Sequence, residues 1–275
     1  YTTDTNQKIS NVDLSDLDMR GGALTLNGNA STAVIEDIGI TGAGDRNFLL
    51  NQSRGHNVIS LNNNGADIGL RFGQIGRGTG NGTVRFNLPT GTQSGTNGII
   101  TDETNNGSSG LLDNETNQAY AVVDDGTGLY FATNSTNAAN GNIVAFLSTV
   151  KNDLSNWVAG DHVTDSTGFE NTVENLDINS LRFNTAADST VTIANNSALG
   201  IATGGILITE NATSGTQSIT GGTIDASSNL IVHNYGTGVF EISSAVRGTD
   251  TITLSGTGTT LLSGDITTTG QITPL

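Results

Sequence analysis

A short alternating segment recurs along the whole chain and limits the folds that it can adopt. Three to five residues alternate between apolar and β-branched polar types, and a Gly, Asn, Ser or Asp turn follows. Period-2 alternation over so few residues predicts short, half-buried β-strands, whose starts lie about 7 to 12 residues apart. The clearest examples are 23–26, 57–61, 82–86, 180–183, 190–193, 205–208, 229–232, 238–242, 251–254 and 265–267.

Strands at this spacing suit a sandwich, a barrel or a β-solenoid with two or three strands per coil. Strands of three to five residues are short for a sandwich. Turns of Asn, Gly, Thr and Ser suit a coil in which each residue stacks on its counterpart one rung away, where Asn side chains bond along the ladder. We therefore predict an all-β fold, a parallel β-solenoid.

The composition excludes several other classes. Only 13% of the 275 residues are charged, and Pro occurs twice, which argues against coiled coils and collagen. No apolar run is long enough for a membrane helix. The formal charge of −16 disfavours nucleic acid and anionic membranes as partners. Zero Cys excludes Cys-based zinc sites and Cys nucleophiles.

One segment departs from the strand pattern. Between Ile143 and Val158 the apolar residues follow helical spacing, with Gly141 before them and Gly160 after, which predicts a short helix over about 143–158. The surrounding region is loop-like and acidic. We thus divide the chain into a first solenoid part (1–100), an irregular acidic insertion that contains this helix (101–175) and a second solenoid part (176–275).

Asp124 and Asp125 form the best acidic pair for a metal or catalytic site, with Ca²⁺ as the candidate cofactor. Gly126 follows them, so the favoured alternative is a solvated Asp-Gly turn. The sequence lacks the Asp spacing of an EF-hand loop. Asp161 and Asp165 lie further along the same region.

Histidines and aromatics offer few further candidates. His56, His162 and His233 are widely separated, and we expect His233 to have a ladder or surface role in its strand. Trp157 and Tyr130 are candidates for stacking on a sugar ring, with packing in the protein as the default expectation.

Three arginines, Arg71, Arg77 and Arg85, fall within one 15-residue window and are candidates for lining one face. The favoured expectation is isolated ion pairs with nearby Asp side chains. The Gly-rich runs 76–80 and 126–128 lack the Lys-Ser/Thr of a phosphate loop. No Gly-x-Ser-x-Gly nucleophile elbow occurs.

The order of motifs in the second half resembles a known family. The motifs are NSLRFN (179–184), STVTI (189–193), GGILI (204–208), ITGGTI (219–224), LIVHNY (230–235) and TLSGTGTTLLSG (253–264). Upstream, GRGTG (76–80) leads to VRFN (84–87). This series resembles large bacterial surface proteins with autotransporter-associated β-strand repeats, over roughly 70–275 and most strongly over 179–264.

The resemblance implies a right-handed parallel β-helix passenger, exported and then displayed or shed, with structural or adhesive roles. It brings no catalytic residues and no cofactor. The chain starts at Tyr1 without a signal peptide and shows no C-terminal block of membrane-barrel strands. We therefore expect a mature or excised piece of passenger material.

We expect from this an extracellular or cell-surface protein that is not an enzyme, serving as a rigid adhesive stalk, filament or coat. Exposed end coils invite edge pairing, so the expected partners are copies of itself or neighbouring repeats, with surface glycans as further candidates. Two alternatives stay open. One is a carbohydrate-active β-helix enzyme, and the other is a segment of a phage tail-spike or fibre, which three-fold association would distinguish.

Overall fold

A computed structural model describes residues 17–38, 49–77, 80–101, 106–112, 118–136, 141–226 and 229–275. Within these ranges the protein is all-β, and its one helical element is the 3-10 helix Leu154–Asn156. Contacts divide the chain into two compact units. Unit 1 comprises Tyr1–Thr116 and Tyr120–Phe146, and unit 2 comprises Asn117–Ala119 and Leu147–Leu275. No helix in the described part of the chain is long and apolar enough to cross a membrane.

The described residues of unit 1 form ten strands, whose buried positions are mostly apolar. They are β1 (Leu17–Asn27), β2 (Val34–Ile38), β3 (Leu49–Asn62), β4 (Ile68–Phe72), β5 (Gln74–Arg77), β6 (Thr83–Asn87), β7 (Gly98–Thr101), β8 (Ala121–Asp124), β9 (Leu129–Asn134) and β10 (Gly141–Ala145). The alternating burial of β2 and the fully buried Phe72, Phe86 and Phe131 show that β2, β4, β6 and β9 each contribute side chains to a buried interior.

Two parallel ladders make up most of unit 1. β1, β3, β6 and β8 form one ladder, and β2, β4 and β7 form the other, while β5 pairs with the first half of β3. The hairpin strands β9 and β10 then run antiparallel and connect β8 to β7. The parallel pairing of unit 1 therefore ends at an antiparallel hairpin.

The described residues of unit 2 form thirteen strands. They are β11 (Thr149–Val150), β12 (His162–Asp165), β13 (Thr172–Val173), β14 (Leu176–Phe183), β15 (Ser189–Ile208), β16 (Gln217–Asp225), β17 (Asn229–Asn234), β18 (Val239–Ile242), β19 (Ala245–Thr249), β20 (Thr251–Ser255), β21 (Thr259–Leu262), β22 (Ile266–Thr268) and β23 (Ile272–Pro274).

All strand pairs among the described residues of unit 2 are parallel, and they form three columns. Column 1 runs through β11, β12, β14, β15, β17, β20 and β23. Column 2 runs through β13, β15, β16, β18 and β21. Column 3 runs through β14, β15, β16, β19 and β22. This pairing confirms a parallel all-β fold and is consistent with a β-helix.

The core of unit 2 lies between these columns. Inward side chains stack on their counterparts, as where Leu181 pairs with Ile206 and Ile206 with Val232, all of them fully buried. Aromatic rings add a second stack: Trp157 contacts Phe169, Phe169 contacts Phe183, and Phe183 contacts Phe240, with centroids 5.2, 5.3 and 5.4 Å apart. The stack runs through the interior from the first rung of the unit.

The predicted helix over 143–158 is wrong. Residues 143–145 belong to β10 and pair with β9, and β11 occupies Thr149–Val150. The apolar spacing does not mark a single buried face, because Leu147 and Val150 are 78% and 56% exposed while Leu154 and Trp157 are buried. The boundary between the two units falls at Phe146 and Leu147, inside the segment predicted to be an insertion, and β8 to β13 all lie within 101–175.

Candidate functional site

A groove of about 330 Å³ lies at the first rung of unit 2, a volume within the range of ligand sites. We call it the first-rung groove. Its apolar lining comes from Leu154, Trp157, Val173 and Leu176. Its polar lining comes from Ser155, Thr172, Glu174 and Asn175.

Asp153 fixes the wall of the first-rung groove. Its carboxylate accepts hydrogen bonds from the backbone N–H and the hydroxyl of Ser155, at 2.9 and 2.7 Å, and from Nδ2 of Asn171 at 2.8 Å. The hydrogen bonds from Ser155 and Asn171 lower the pKa of Asp153 below its ordinary value. Asp153 thereby starts the 3-10 helix as its N-cap residue.

Trp157 follows that helix and closes the groove on its inner side. Its Nε1 donates to the backbone carbonyl of Lys151 at 3.0 Å, and its ring packs edge-on against Phe169. Only 5% of the residue is exposed. Packing, which was the default expectation for this tryptophan, is what the structure shows.

A strand edge forms the other side of the groove. Leu154 N–H donates to the Glu170 carbonyl and Glu170 N–H to the Asn152 carbonyl, which makes a short parallel bridge between Asp153 and Glu170. Immediately after this bridge the chain enters β13, which pairs on one side with β15. Among the described strands β13 has no second partner, so its edge faces the groove, which residues 172–176 line.

The charges around the groove are mostly negative. Glu170 and Glu174 are exposed, and Asp153 lies beside them. The nearby cation, Lys151, pairs with Asp161 at 2.5 Å. Sequence reasoning missed this site because Glu174 and Asn175 look like an ordinary turn between two strands. The local signal was a capping Asp followed closely by the single Trp.

Asp124 and Asp125, the candidate Ca²⁺ ligands, lie at the tight turn between β8 and β9. Asp124 Oδ2 pairs with Arg85 at 2.7 Å, and its Oδ1 accepts from Gly126 N–H at 3.0 Å. Asp125 Oδ1 accepts from the N–H groups of Thr127 and Gly128 and from the Thr127 hydroxyl. These contacts are those of an Asp-Gly turn, and the metal role stays a prediction.

The three clustered arginines do not converge on one site. Arg71 pairs with Asp37 at 3.1 Å and Arg85 with Asp124, each across neighbouring strands. Arg77 donates instead to backbone carbonyls in the following turn, those of Asn81 and Gly82. Ion pairs with Asp, the favoured expectation, are thus observed for two of the three.

The three histidines also lie apart from one another, and each has its own hydrogen-bond partner. His56 Nδ1 lies 3.1 Å from the Thr83 hydroxyl, and His162 Nδ1 lies 2.8 Å from the Ser180 hydroxyl. Burial, and then the charge of Arg85, lower the pKa of His56 below its ordinary value of 6.5. His233 is fully buried in β17, with Nε2 2.8 Å from the Ala119 carbonyl. His233 therefore occupies a buried position in the strand ladder and does not lie at the surface.

The remaining candidates also have local partners. Asp161 accepts from Val158 N–H in addition to its Lys151 pair, and Asp165 accepts from the N–H groups of Thr167 and Gly168. Tyr130 is half-buried beside the β8–β9 turn. In the part of the chain that the structure describes, no group of three His, Asp or Glu side chains is placed to hold a metal ion.

Comparisons with known proteins give one similarity. No family model matches the chain, and no solved structure matches it. Among curated proteins the chain is similar to the adhesin BmaC autotransporter of Brucella suis biovar 1 (strain 1330), with 29% identity over 296 aligned residues. The match covers 94% of this chain and 8% of that protein. The chain therefore spans less than a tenth of the length of this curated relative.

Proposed function

We propose that the chain is a segment of an extracellular, adhesive, autotransporter-like passenger, and that it acts by binding and not by catalysis. The similarity to an autotransporter adhesin along 94% of the chain is the observation that carries this proposal. It supports a location at the cell surface or outside the cell. The resemblance to β-strand-repeat proteins points the same way.

The proposed architecture is a right-handed parallel β-solenoid that serves as a rigid stalk. The three parallel columns of unit 2 support it, because each rung contacts mainly its neighbours and the ladder hydrogen bonds run along the stack. Polar side chains follow the same ladders on the outside, as where the hydroxyls of Thr190 and Ser218 lie 2.9 Å apart on adjacent rungs. Such a stalk exposes long polar faces to neighbouring copies, neighbouring repeats or surface glycans.

Adhesion is tested by coating beads with the 275-residue chain and counting beads retained on cultured host cells. We expect retention above that of beads coated with the same chain after heat unfolding, because folded ladders present the binding face. Beads coated with a folded acidic protein of similar charge control for nonspecific attachment. Equal retention on all three coatings would refute an adhesive role for this segment.

The stalk is tested separately by small-angle X-ray scattering of the chain in solution. A solenoid of stacked rungs predicts a distance distribution with a long tail and a constant cross-section. A distribution that fits a sphere of the same mass would rule out the stalk while leaving adhesion to the bead assay.

A further inference from the structure

We propose that the first-rung groove binds an extended, basic peptide segment by β-strand addition to the edge of β13, Thr172–Val173. This inference deepens the proposed function, because it names a ligand class for the adhesive segment. It rests on three observations in unit 2: a strand edge that continues an existing pairing, an apolar floor and an acidic rim.

The edge continues an interface that the protein already forms. Residues 152–154 pair in parallel with Glu170, through the two backbone hydrogen bonds between Leu154 and Glu170 and between Glu170 and Asn152. The chain then turns away into the 3-10 helix, while the opposite segment continues into the two-residue strand β13, Thr172–Val173. An added strand would take up the pairing at β13, where the protein's own chain leaves it, and its remaining residues would lie along the groove lining at 174–176.

The groove gives such a strand a place for its side chains. Because successive side chains of a strand point to opposite faces, every second residue of the peptide would face the floor. Trp157 and Leu154 are buried there at 5% and 2% exposure, and Val173 is buried at 3%. This floor suits a β-branched or small aliphatic side chain.

The rim determines the charge of the ligand. Asp153, Glu170 and Glu174 surround the edge, and Lys151 is already paired with Asp161. The outward residues of the added strand would therefore be Lys or Arg. An acidic strand would meet like charges at the same positions, which is unfavourable.

Intrinsic fluorescence gives a direct readout, since Trp157 is the single Trp of the chain. The probe is an acetylated and amidated Lys-Val-Lys-Val-Lys peptide, titrated into the full chain at low salt. We expect a saturable change in Trp emission. A Glu-Val-Glu-Val-Glu peptide should leave the emission unchanged, and a Lys-Val-Lys-Val-Lys peptide with methylated backbone nitrogens should bind at least tenfold more weakly.

A charge-removing variant tests the rim. Glu174→Gln should weaken binding of the basic peptide about three- to tenfold, whereas the matched change Glu210→Gln, at an exposed turn away from the groove, should leave it unchanged. Circular dichroism of both variants confirms that each is folded.

Three results would overturn the inference: equal binding of the acidic peptide, equal binding of the methylated peptide, or no loss on Glu174→Gln. An emission change with a neutral β-glucan trisaccharide but not with the basic peptide would assign the groove to sugars instead. Bead retention is read independently, so peptide binding without retention would reject the proposed function and keep the groove. Bead retention without peptide binding would reject the groove as a peptide site and keep the proposed adhesive function.

Discussion

Single side chains connect successive rungs in both units. In unit 1 the buried Asn57 accepts from Gly21 N–H at 2.7 Å and donates to the Thr83 carbonyl at 3.2 Å, so one amide joins three neighbouring strands. In unit 2 the buried Asn234 accepts from Gly236 N–H at 3.0 Å and donates to the Thr259 carbonyl at 2.9 Å. The Asn content that predicted stacked turns thus has a specific structural use at these positions.

At the scale of one residue, His56 should make the folded state sensitive to pH. Its pKa is lower in the folded protein than the ordinary 6.5, so the unfolded chain takes up the proton first as the pH falls. The contribution of neutral His56 to the free energy of unfolding is fully present above pH 6.5. It is lost as the pH falls from 6.5 to the pKa that His56 has in the folded protein. Urea unfolding at pH 7.5, 6.5 and 5.5 should show a larger loss for the wild type than for His56→Gln. Equal losses would contradict this.

The Asp-Gly turn alternative for Asp124 and Asp125 predicts that calcium does not stabilise the β8–β9 turn. Asp125 Oδ1 already accepts three hydrogen bonds, and Asp124 is paired with Arg85. Thermal unfolding with millimolar CaCl₂ and with an equal ionic strength of NaCl should give the same midpoint. A rise with CaCl₂ that Asp125→Asn abolishes would instead support the Ca²⁺ site predicted from the sequence.

Gly204 should be much less replaceable than Gly160. Both have positive φ, +66° and +82°, but a Cβ on Gly204 would clash with the Asn229 carbonyl oxygen, whereas a Cβ on Gly160 would meet nothing within 4 Å. Gly160→Ala should therefore lower the free energy of unfolding through backbone strain alone, by about 1–3 kcal/mol. Gly204→Ala should cost about 1–3 kcal/mol more, because the added Cβ overpacks the space between the rungs. Equal free energies of unfolding for the two variants would contradict the close approach of these rungs.

At the scale of elements, strands were predictable where alternation is regular. The segments 57–61, 82–86, 180–183, 190–193 and 238–242 all lie in or overlap observed strands. Local alternation records which side of a strand is buried, but it does not name the partner strand. The sequence therefore did not reveal that β15 runs for 20 residues through all three columns, nor that β9 and β10 are antiparallel.

The helix prediction failed because its apolar residues serve different elements. Ile143 is buried as part of β10 in unit 1, whereas Leu154 and Trp157 belong to the core cluster of unit 2. A helical period that arises from residues in two units cannot be told from a real helix by spacing alone.

The aromatic stack should be the most sensitive part of the unit 2 core. Phe183 is fully buried and contacts both Phe169 and Phe240. Phe183→Ala should lower the free energy of unfolding by about 3–5 kcal/mol. The exposed control Thr267→Ala should change it by about 0.5 kcal/mol or less. Urea unfolding followed by circular dichroism measures both, and similar losses would show that the stack carries little stability.

At the scale of the whole molecule, the charge of −16 should make stability depend on salt. Like charges repel in the compact state, and raising the ionic strength from 0.01 to 0.15 M shortens the screening length from about 30 to about 8 Å. We therefore expect the urea midpoint to rise with NaCl, with sucrose at equal osmolality as the control for solvent effects. A falling midpoint would mean that ion pairs such as Arg85–Asp124 outweigh the net repulsion.

The spacing between paired rungs has a consequence for how such a protein can change over generations. In column 1 the paired residues Val163 and Leu181 are 18 positions apart, whereas Ile206 and Val232 are 26 apart, yet both pairs lie in register. The turns absorb the difference. Insertions and deletions in them can therefore accumulate without dislocating the ladder, so the turns of this chain can vary in length and sequence while its paired strands stay in register.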